Sequence, residues 1–110
     1  MTQDFYCEEV LSGRTEVEIV METDNVLAYH HTQPSYEHHI MVIPKVHISS
    51  FISEEETNDD ELILGILRVI KKISADMVER TGASKIVTNL GSYQDSKHLH
   101  WHVISGERVT

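Results

Sequence analysis

One stretch near the C-terminus decides how this chain is interpreted: Lys97-His98-Leu99-His100-Trp101-His102-Val103. Its three histidines occupy alternate positions, with apolar residues between them. In a β-strand, successive side chains point to opposite faces, so the three imidazoles share one face and the apolar residues share the other. Side chains two positions apart then lie about 6.6–6.8 Å from each other. A packed core does not require such a row of imidazoles, so the pattern indicates a chemical role.

The spacing alone leaves three chemistries open. Neighbouring imidazoles could ligate a metal together with a third ligand from elsewhere, although the outer pair would strain to reach the same ion. One imidazole could instead attack phosphorus or an acyl carbon, provided that its other nitrogen donates to a backbone carbonyl and fixes the neutral tautomer. Clustered imidazoles could also form a pH switch, because they repel one another when charged.

Composition limits the class of protein. The 110 residues predict one domain, residues 1–110, and the 40% apolar and 25% charged content is that of a folded globular protein. A net charge of −9 argues against general nucleic-acid binding. The single cysteine, Cys7, cannot form an internal disulfide. With no signal-like N-terminus and no run of about 20 apolar residues, these features predict a soluble cytoplasmic protein without a membrane partner.

The hydrophobic pattern predicts an α+β fold, with an antiparallel sheet of about five strands packed by one long helix and accompanied by one short helix. A long helix is expected between an N-cap at Asn58 and a C-cap at Gly82, preceded by a solvated acidic loop from Glu54. The third strand is the most apolar and is expected to be central. The predicted short helix covers residues 4–12, a helical turn covers 48–52, and the strands cover 16–22, 26–30, 39–43, 85–89 and 97–105.

Four segments together resemble the histidine triad superfamily. The stretch from Lys97 to Val103 is similar to its signature of three histidines alternating with apolar residues. A strand and turn with Pro-Lys-x-His-Ile, typical of the family, resembles Ile40–Ser49. The family's ribose-side strand resembles Asp24–His30, and its loop before the triad resembles Asn89–Gln94. The resemblance covers about residues 5–106 and is closest to the histidine-triad nucleotide-binding branch.

The resemblance implies a mechanism and a set of site residues. His100, the middle histidine, would attack the α-phosphorus of a nucleoside phosphoramidate or dinucleoside polyphosphate, form a nucleotidyl-histidine and release a nucleoside monophosphate. His98 and His102 would hydrogen-bond the phosphate and help to move protons, and His47 matches a fourth histidine near the triad. The implied nucleotide-binding residues are Tyr29, His30, His31, Asn89, Gln94 and Asp95.

The same resemblance implies that no metal or cofactor is required, that the ligand is a purine nucleotide or nucleotide conjugate, and that the protein is a homodimer. His31 replaces the acidic residue that usually binds both ribose hydroxyls, and Asp95 stands where relatives often carry Ser or Thr. The loop that contains Asp95 is also about two residues shorter than is common. These departures leave an alternative open, namely a nucleotide-sensing or partner-binding module with little catalysis.

A zinc-binding protein is the other alternative. Some members of the superfamily hold structural zinc through two N-terminal cysteines and two histidines. Here the matching ligand set is Asp4, Cys7, His47 and His98, with one thiolate lost.

Overall fold

The structure, a computed structural model, describes residues 10–13 and 16–110. Most of the short helix predicted over residues 4–12 lies outside the described residues. At its end, a turn closes where the Gly13 amide donates to the Val10 carbonyl at 3.2 Å. No helix within the described ranges is long and apolar enough to cross a membrane.

Five antiparallel strands form one sheet in the order β1-β2-β3-β5-β4. The predicted α+β class is therefore confirmed, and the third strand is central as expected. Strand β3 is longer than predicted because pairing with β5 continues to Tyr36 through a register shift near His38. The strands are β1 (Ile19–Glu22), β2 (Val26–His30), β3 (Tyr36–Pro44), β4 (Lys85–Val87) and β5 (Trp101–Arg108).

The long helix α1 runs from Asp60 to Thr81. Its N-cap is Asp59 rather than the predicted Asn58, because the Asp59 carboxylate accepts the Leu62 amide at 2.8 Å. The Asn58 side chain instead donates to the Ser53 carbonyl at 2.7 Å and braces the preceding turn. The predicted C-cap is confirmed, since Gly82 has φ of 92° and its amide donates to the Val78 carbonyl.

The two faces of the sheet carry different clusters. Helix α1 packs its apolar stripe on one face, around Ile66, Ile70 and Met77. The opposite face carries a smaller cluster that includes Tyr29 and Met41. The helix therefore covers one face of the sheet, and the opposite face, which carries Tyr29 and Met41, is left for the site.

Some predicted boundaries are wrong. Strand β5 begins at Trp101 instead of residue 97, and β4 ends at Val87 instead of residue 89. The chain replaces these ladder hydrogen bonds with others: the Thr88 hydroxyl donates to the His100 carbonyl at 2.7 Å, and the Leu99 amide donates to the Ile48 carbonyl at 2.6 Å. The helical turn expected over 48–52 is only a turn at 51–52, and β1 starts at Ile19 instead of residue 16.

Candidate active site

The side chains of residues 98–103 alternate between the two faces of the sheet as predicted, although β5 begins only at Trp101. Leu99 and Val103 are buried in the cluster beneath helix α1, and Trp101 packs against it. The three imidazoles therefore lie on the opposite face, although only His102 belongs to β5. His98 is fully buried and His100 is 6% exposed.

A backbone hydrogen bond fixes the tautomer of His100. Its Nδ1 lies 2.7 Å from the His98 carbonyl oxygen. A carbonyl only accepts, so Nδ1 carries the proton and the lone pair of the neutral ring is on Nε2. Burial lowers the pKa of His100, and the charge of His98 lowers it further, against opposing effects of the carbonyl bond and of Asp95. The middle histidine is thus held neutral, as a nucleophile requires.

His98 is held by the turn that follows β3. Its Nε2 donates to the Pro44 carbonyl at 3.0 Å. Its ring meets the ring of His47 edge to face, with centroids 5.3 Å apart. The structure therefore brings His47 to the triad, as the sequence predicts.

A further imidazole that was not predicted, that of His39, fixes the orientation and tautomer of His102. The Ser35 amide donates to Nδ1 of His39 at 3.1 Å, so the neutral ring of His39 carries its proton on Nε2. That Nε2 lies 2.8 Å from Nδ1 of His102, which must accept and therefore carries its own proton on Nε2. Burial and neighbouring imidazoles lower the pKa of both rings to about 4. His102 is thus a neutral hydrogen-bond donor through Nε2.

The signal for His39 exists in the sequence but requires the strand register. Met41 pairs with His102 across β3 and β5, and His39 lies two positions before Met41 on the same face. Without knowing that β3 and β5 are neighbours, His39 is one of eight histidines.

His31 extends the row of imidazoles past His39. The two ring centroids are 4.5 Å apart, and Nδ1 of His31 accepts the Gln33 amide at 2.9 Å. Its proton is therefore on Nε2, and burial, followed by the charge of His100, lowers the pKa of His31. His31 consequently presents a donor where an acidic residue would present acceptors.

The other predicted nucleotide residues on β2 differ in position. Tyr29 is 2% exposed and packs in the second cluster with Met41. His30 is exposed and, by alternation, lies on the helix side of the sheet. The structure therefore brings His31 into the imidazole row, and it does not bring Tyr29 or His30 there.

The loop before the triad is fastened at several points. The Gln94 amide donates to the Ser49 carbonyl at 2.7 Å and to the Ser96 carbonyl at 2.8 Å, so its two N–H groups hold the loop. Lys97 donates to the Gln94 carbonyl at 3.2 Å. Between these anchors Asp95 is exposed, and its charge acts on His100.

Asn89 lies beyond the end of β4. Val87 pairs with His102, and continuing that antiparallel register by two residues places Asn89 across from His100. The side chain is partly buried there. This register brings Asn89 next to His100, and contact with a nucleotide stays a prediction for Asn89, Asp95 and Gln94.

One residue of the acidic run is part of the site's support. Glu55 accepts the Ser49 amide at 2.6 Å, the Ser49 hydroxyl at 3.0 Å and the Ser53 hydroxyl at 2.8 Å. It also lies 3.8 Å from Nε2 of His47. The bond from the Ser49 amide is the main reason that the pKa of Glu55 is lowered. Sequence reasoning placed this residue in a solvated loop and missed its role.

The proposed zinc ligands are only partly visible. Asp4 and Cys7 lie outside the described residues, and His98 donates through Nε2 to a carbonyl. In the ranges 10–13 and 16–110, no group of three or more His, Cys, Asp or Glu side chains could hold a metal ion.

Known proteins share this architecture and this sequence pattern. An uncharacterized HIT-like protein of Synechococcus elongatus is 31% identical over 111 residues, which cover 99% of this chain and 96% of the relative. The structure of a HIT family hydrolase from Legionella pneumophila superposes with a TM-score of 0.79 at 28% identity, covering 98% of this chain and 96% of that one.

A Zn-bound histidine triad family protein from Mycobacterium smegmatis superposes with a TM-score of 0.81 at 24% identity, covering 96% of this chain and 76% of that one. That likeness shows the shared fold. The family model described as HIT domain matches residues 12–109, and the chain therefore belongs to the HIT domain family.

Proposed function

We propose that this protein is a nucleotide-binding hydrolase or nucleotidyl transferase that acts on the α-phosphorus of nucleoside phosphoramidates or dinucleoside polyphosphates through His100. The observation that carries the proposal is the hydrogen bond of 2.7 Å from Nδ1 of His100 to the His98 carbonyl. It leaves the lone pair on Nε2 of a ring whose pKa is lowered by burial. The hydrolase name of the Legionella pneumophila relative supports the same class of activity.

The first step forms one bond and breaks another. The Nε2 lone pair of His100 forms a bond to phosphorus, and the bond from phosphorus to the leaving nitrogen or oxygen breaks. The leaving group takes that electron pair and a proton from solvent. The Nε2–H group of His102 stabilises negative charge on a phosphoryl oxygen, because its tautomer is set by His39.

The second step restores the enzyme. The oxygen of a water molecule forms a bond to phosphorus and releases a proton to solvent. The bond from phosphorus to Nε2 breaks, its electron pair returns to Nε2 as the lone pair, and a nucleoside monophosphate leaves. His98 is buried and bonded to the Pro44 carbonyl, so its part is to hold the turn and the backbone carbonyl that orients His100. The proposed steps use no metal ion, and that no cofactor is needed stays a prediction.

Intact-mass measurement tests the proposal directly. The protein is mixed with nucleoside phosphoramidates and dinucleoside polyphosphates, quenched and weighed. We expect an adduct of one nucleoside monophosphate in the wild type and none in His100→Ala. Full turnover by His100→Ala would refute the assigned nucleophile.

A specific observation favours a second candidate, a nucleotide-binding module with little catalysis. The negative charge of Asp95 acts on His100, where a phosphate would have to approach. Tight nucleotide binding without turnover, in wild type and in Asp95→Asn alike, would favour this candidate over the hydrolase.

We further propose that the bound nucleotide is a purine nucleotide, that the protein is a homodimer, and that it acts in the cytoplasm. Exposed apolar side chains on the edge strands, Ile19 and Ile86, are consistent with pairing between copies. Sedimentation analysis of the purified protein tests the assembly.

A further inference from the structure

Two backbone amides in the loop between β2 and β3 donate to imidazoles of the row. The Gln33 amide donates to Nδ1 of His31 at 2.9 Å, and the Ser35 amide donates to Nδ1 of His39 at 3.1 Å. The Ser35 peptide is itself anchored, because its carbonyl accepts the Val109 amide at 2.8 Å. A backbone N–H donates and cannot accept, so each of these bonds selects one tautomer of the ring that it meets.

We propose that His39 is a positioning residue which, held by the Ser35 amide, keeps His102 a hydrogen-bond donor and excludes it from proton transfer during the reaction. The inference rests on the proposed function, because that function places the reacting phosphorus at His100. The rings of His100 and His102 have centroids 5.3 Å apart, so His102 adjoins the nucleophile.

Burial keeps both rings of the His39–His102 pair neutral. The side chain of His39 is 6% exposed, and desolvation is the main reason that the pKa of each ring is lowered to about 4. A single hydrogen bond of 2.8 Å joins Nε2 of His39 to Nδ1 of His102. In a neutral pair joined in this way, the tautomer of one ring sets the tautomer of the other.

General-acid action by His102 is blocked in this arrangement. If its Nε2 proton passed to a leaving group, the ring would need a replacement proton on Nδ1 to avoid becoming an anion. The proton at that position belongs to Nε2 of His39, which donates it across the bond of 2.8 Å. Its transfer would leave His39 as the anion instead, because a peptide amide such as that of Ser35 does not release its proton to Nδ1.

General-base action by His102 is blocked for a related reason. Its Nε2 already carries a proton, and its Nδ1 lone pair accepts the bond from His39. The opposite tautomers would set an N–H of His39 against the N–H of Ser35, and two facing donors leave both unsatisfied. Protons of the leaving group and of the attacking water therefore exchange with solvent, while His102 keeps its own. Of the two roles that the resemblance implies for His102, bonding of the phosphate remains and proton transfer does not.

Nitrogen NMR of the free protein tests the tautomers without any substrate. In the wild type at neutral pH, we expect His39 and His102 each to show one tautomer, with the proton on Nε2. In His39→Gln, the amide oxygen can accept from Ser35 and the amide N–H can donate to His102, so the tautomer of His102 should persist. In His39→Leu, which has neither group, His102 should show a mixture of tautomers. The matched control His38→Leu, at the exposed neighbouring position, should keep the single tautomer.

Steady-state kinetics with a nucleoside phosphoramidate test the consequence for the reaction. In His39→Leu, kcat should fall about tenfold with KM changed by less than about threefold, because the donor acts on charge that develops in the transition state. In His39→Gln, kcat should return to within about threefold of the wild-type value, since the hydrogen bond is restored.

Replacing His102 itself separates donation from proton transfer. The side chain of His102→Gln offers an N–H donor and cannot carry a proton between groups, so it should retain about a tenth of the wild-type kcat. His102→Leu offers no donor and should retain about a hundredth or less. Equal losses in these two variants would show that His102 moves protons and would overturn the inference.

Two other results would also overturn it. One is a proton on Nδ1 of His102 in the wild type, or a single Nε2–H tautomer that survives in His39→Leu. The other is an equal kcat in His39→Leu and His39→Gln, because the hydrogen bond would then have no part in turnover. If no nucleotide substrate is turned over, the hydrolase proposal fails, and the nitrogen spectra still decide whether His39 fixes the tautomer of His102.

Discussion

Acid should destabilise this fold through the imidazole pair of His39 and His102. Both rings have a pKa of about 4 in the folded protein, against an ordinary value of 6.5. The unfolded chain therefore binds more protons than the folded one between these values. The contribution of these two rings to the unfolding free energy is fully present above about pH 6.5, and it falls as the pH drops from there towards about 4.

The structure gives the size of the effect. At about pH 5, one such imidazole favours the unfolded chain by about 2 kcal/mol if the whole shift applies. Partial contact with solvent screens both rings and halves the figure for each, so the pair together should cost about 2 kcal/mol. His31 and His100 also have lowered pKa values and act in the same direction. The carboxylates stay ionised between about pH 7 and pH 5, so histidines dominate this range.

Urea titration at about pH 7 and about pH 5 measures this loss in unfolding free energy. His39→Phe removes one titrating ring and relieves the pKa of His102 of its neighbour's charge, so the loss should be smaller than in wild type by about 1 kcal/mol or more. His38→Gln, at the exposed neighbouring position, should behave like wild type. Each variant is compared with itself at the two pH values, so the bonds lost in His39→Phe cancel.

Equal losses in wild type and His39→Phe would refute this reasoning. So would a wild-type loss below about 0.5 kcal/mol, because the histidines would then titrate alike in the folded and unfolded chain.

Local patterns predicted the elements because their signals are periodic. The stripe of helix α1 and the left-handed Gly82 follow directly from spacing and residue type. The alternation of the triad also held, because an extended backbone alternates whether or not its amides pair across a ladder. The predicted start of the fifth strand at residue 97 was wrong, because side-chain and turn hydrogen bonds replace strand pairing over residues 97–100.

The support of the site could not be predicted, because it depends on which segments meet. His39 acquires its role from the pairing of β3 with β5, sixty-three residues away in sequence. Glu55 acquires its role from three short bonds to serines near His47. In the sequence alone, a histidine beside another histidine and a glutamate within an acidic run carry no such information.

Two further substitutions test the hydrogen bonds of Glu55 and the effect of the Asp95 charge on His100. Glu55→Gln should lower the unfolding free energy by about 1–2 kcal/mol, because a carboxylate that accepts three hydrogen bonds becomes a neutral amide. Urea titration measures this loss. The control is Glu54→Gln, which should change the unfolding free energy little because Glu54 is exposed. Asp95→Asn should shift the acidic limb of kcat/KM to lower pH, because the Asp95 charge raises the pKa of His100. A neutral nucleophile would then persist further into acid, and weaker repulsion of phosphate should raise kcat/KM at neutral pH. A shift of that limb to higher pH would contradict the assignment of His100 as the group whose protonation stops the reaction.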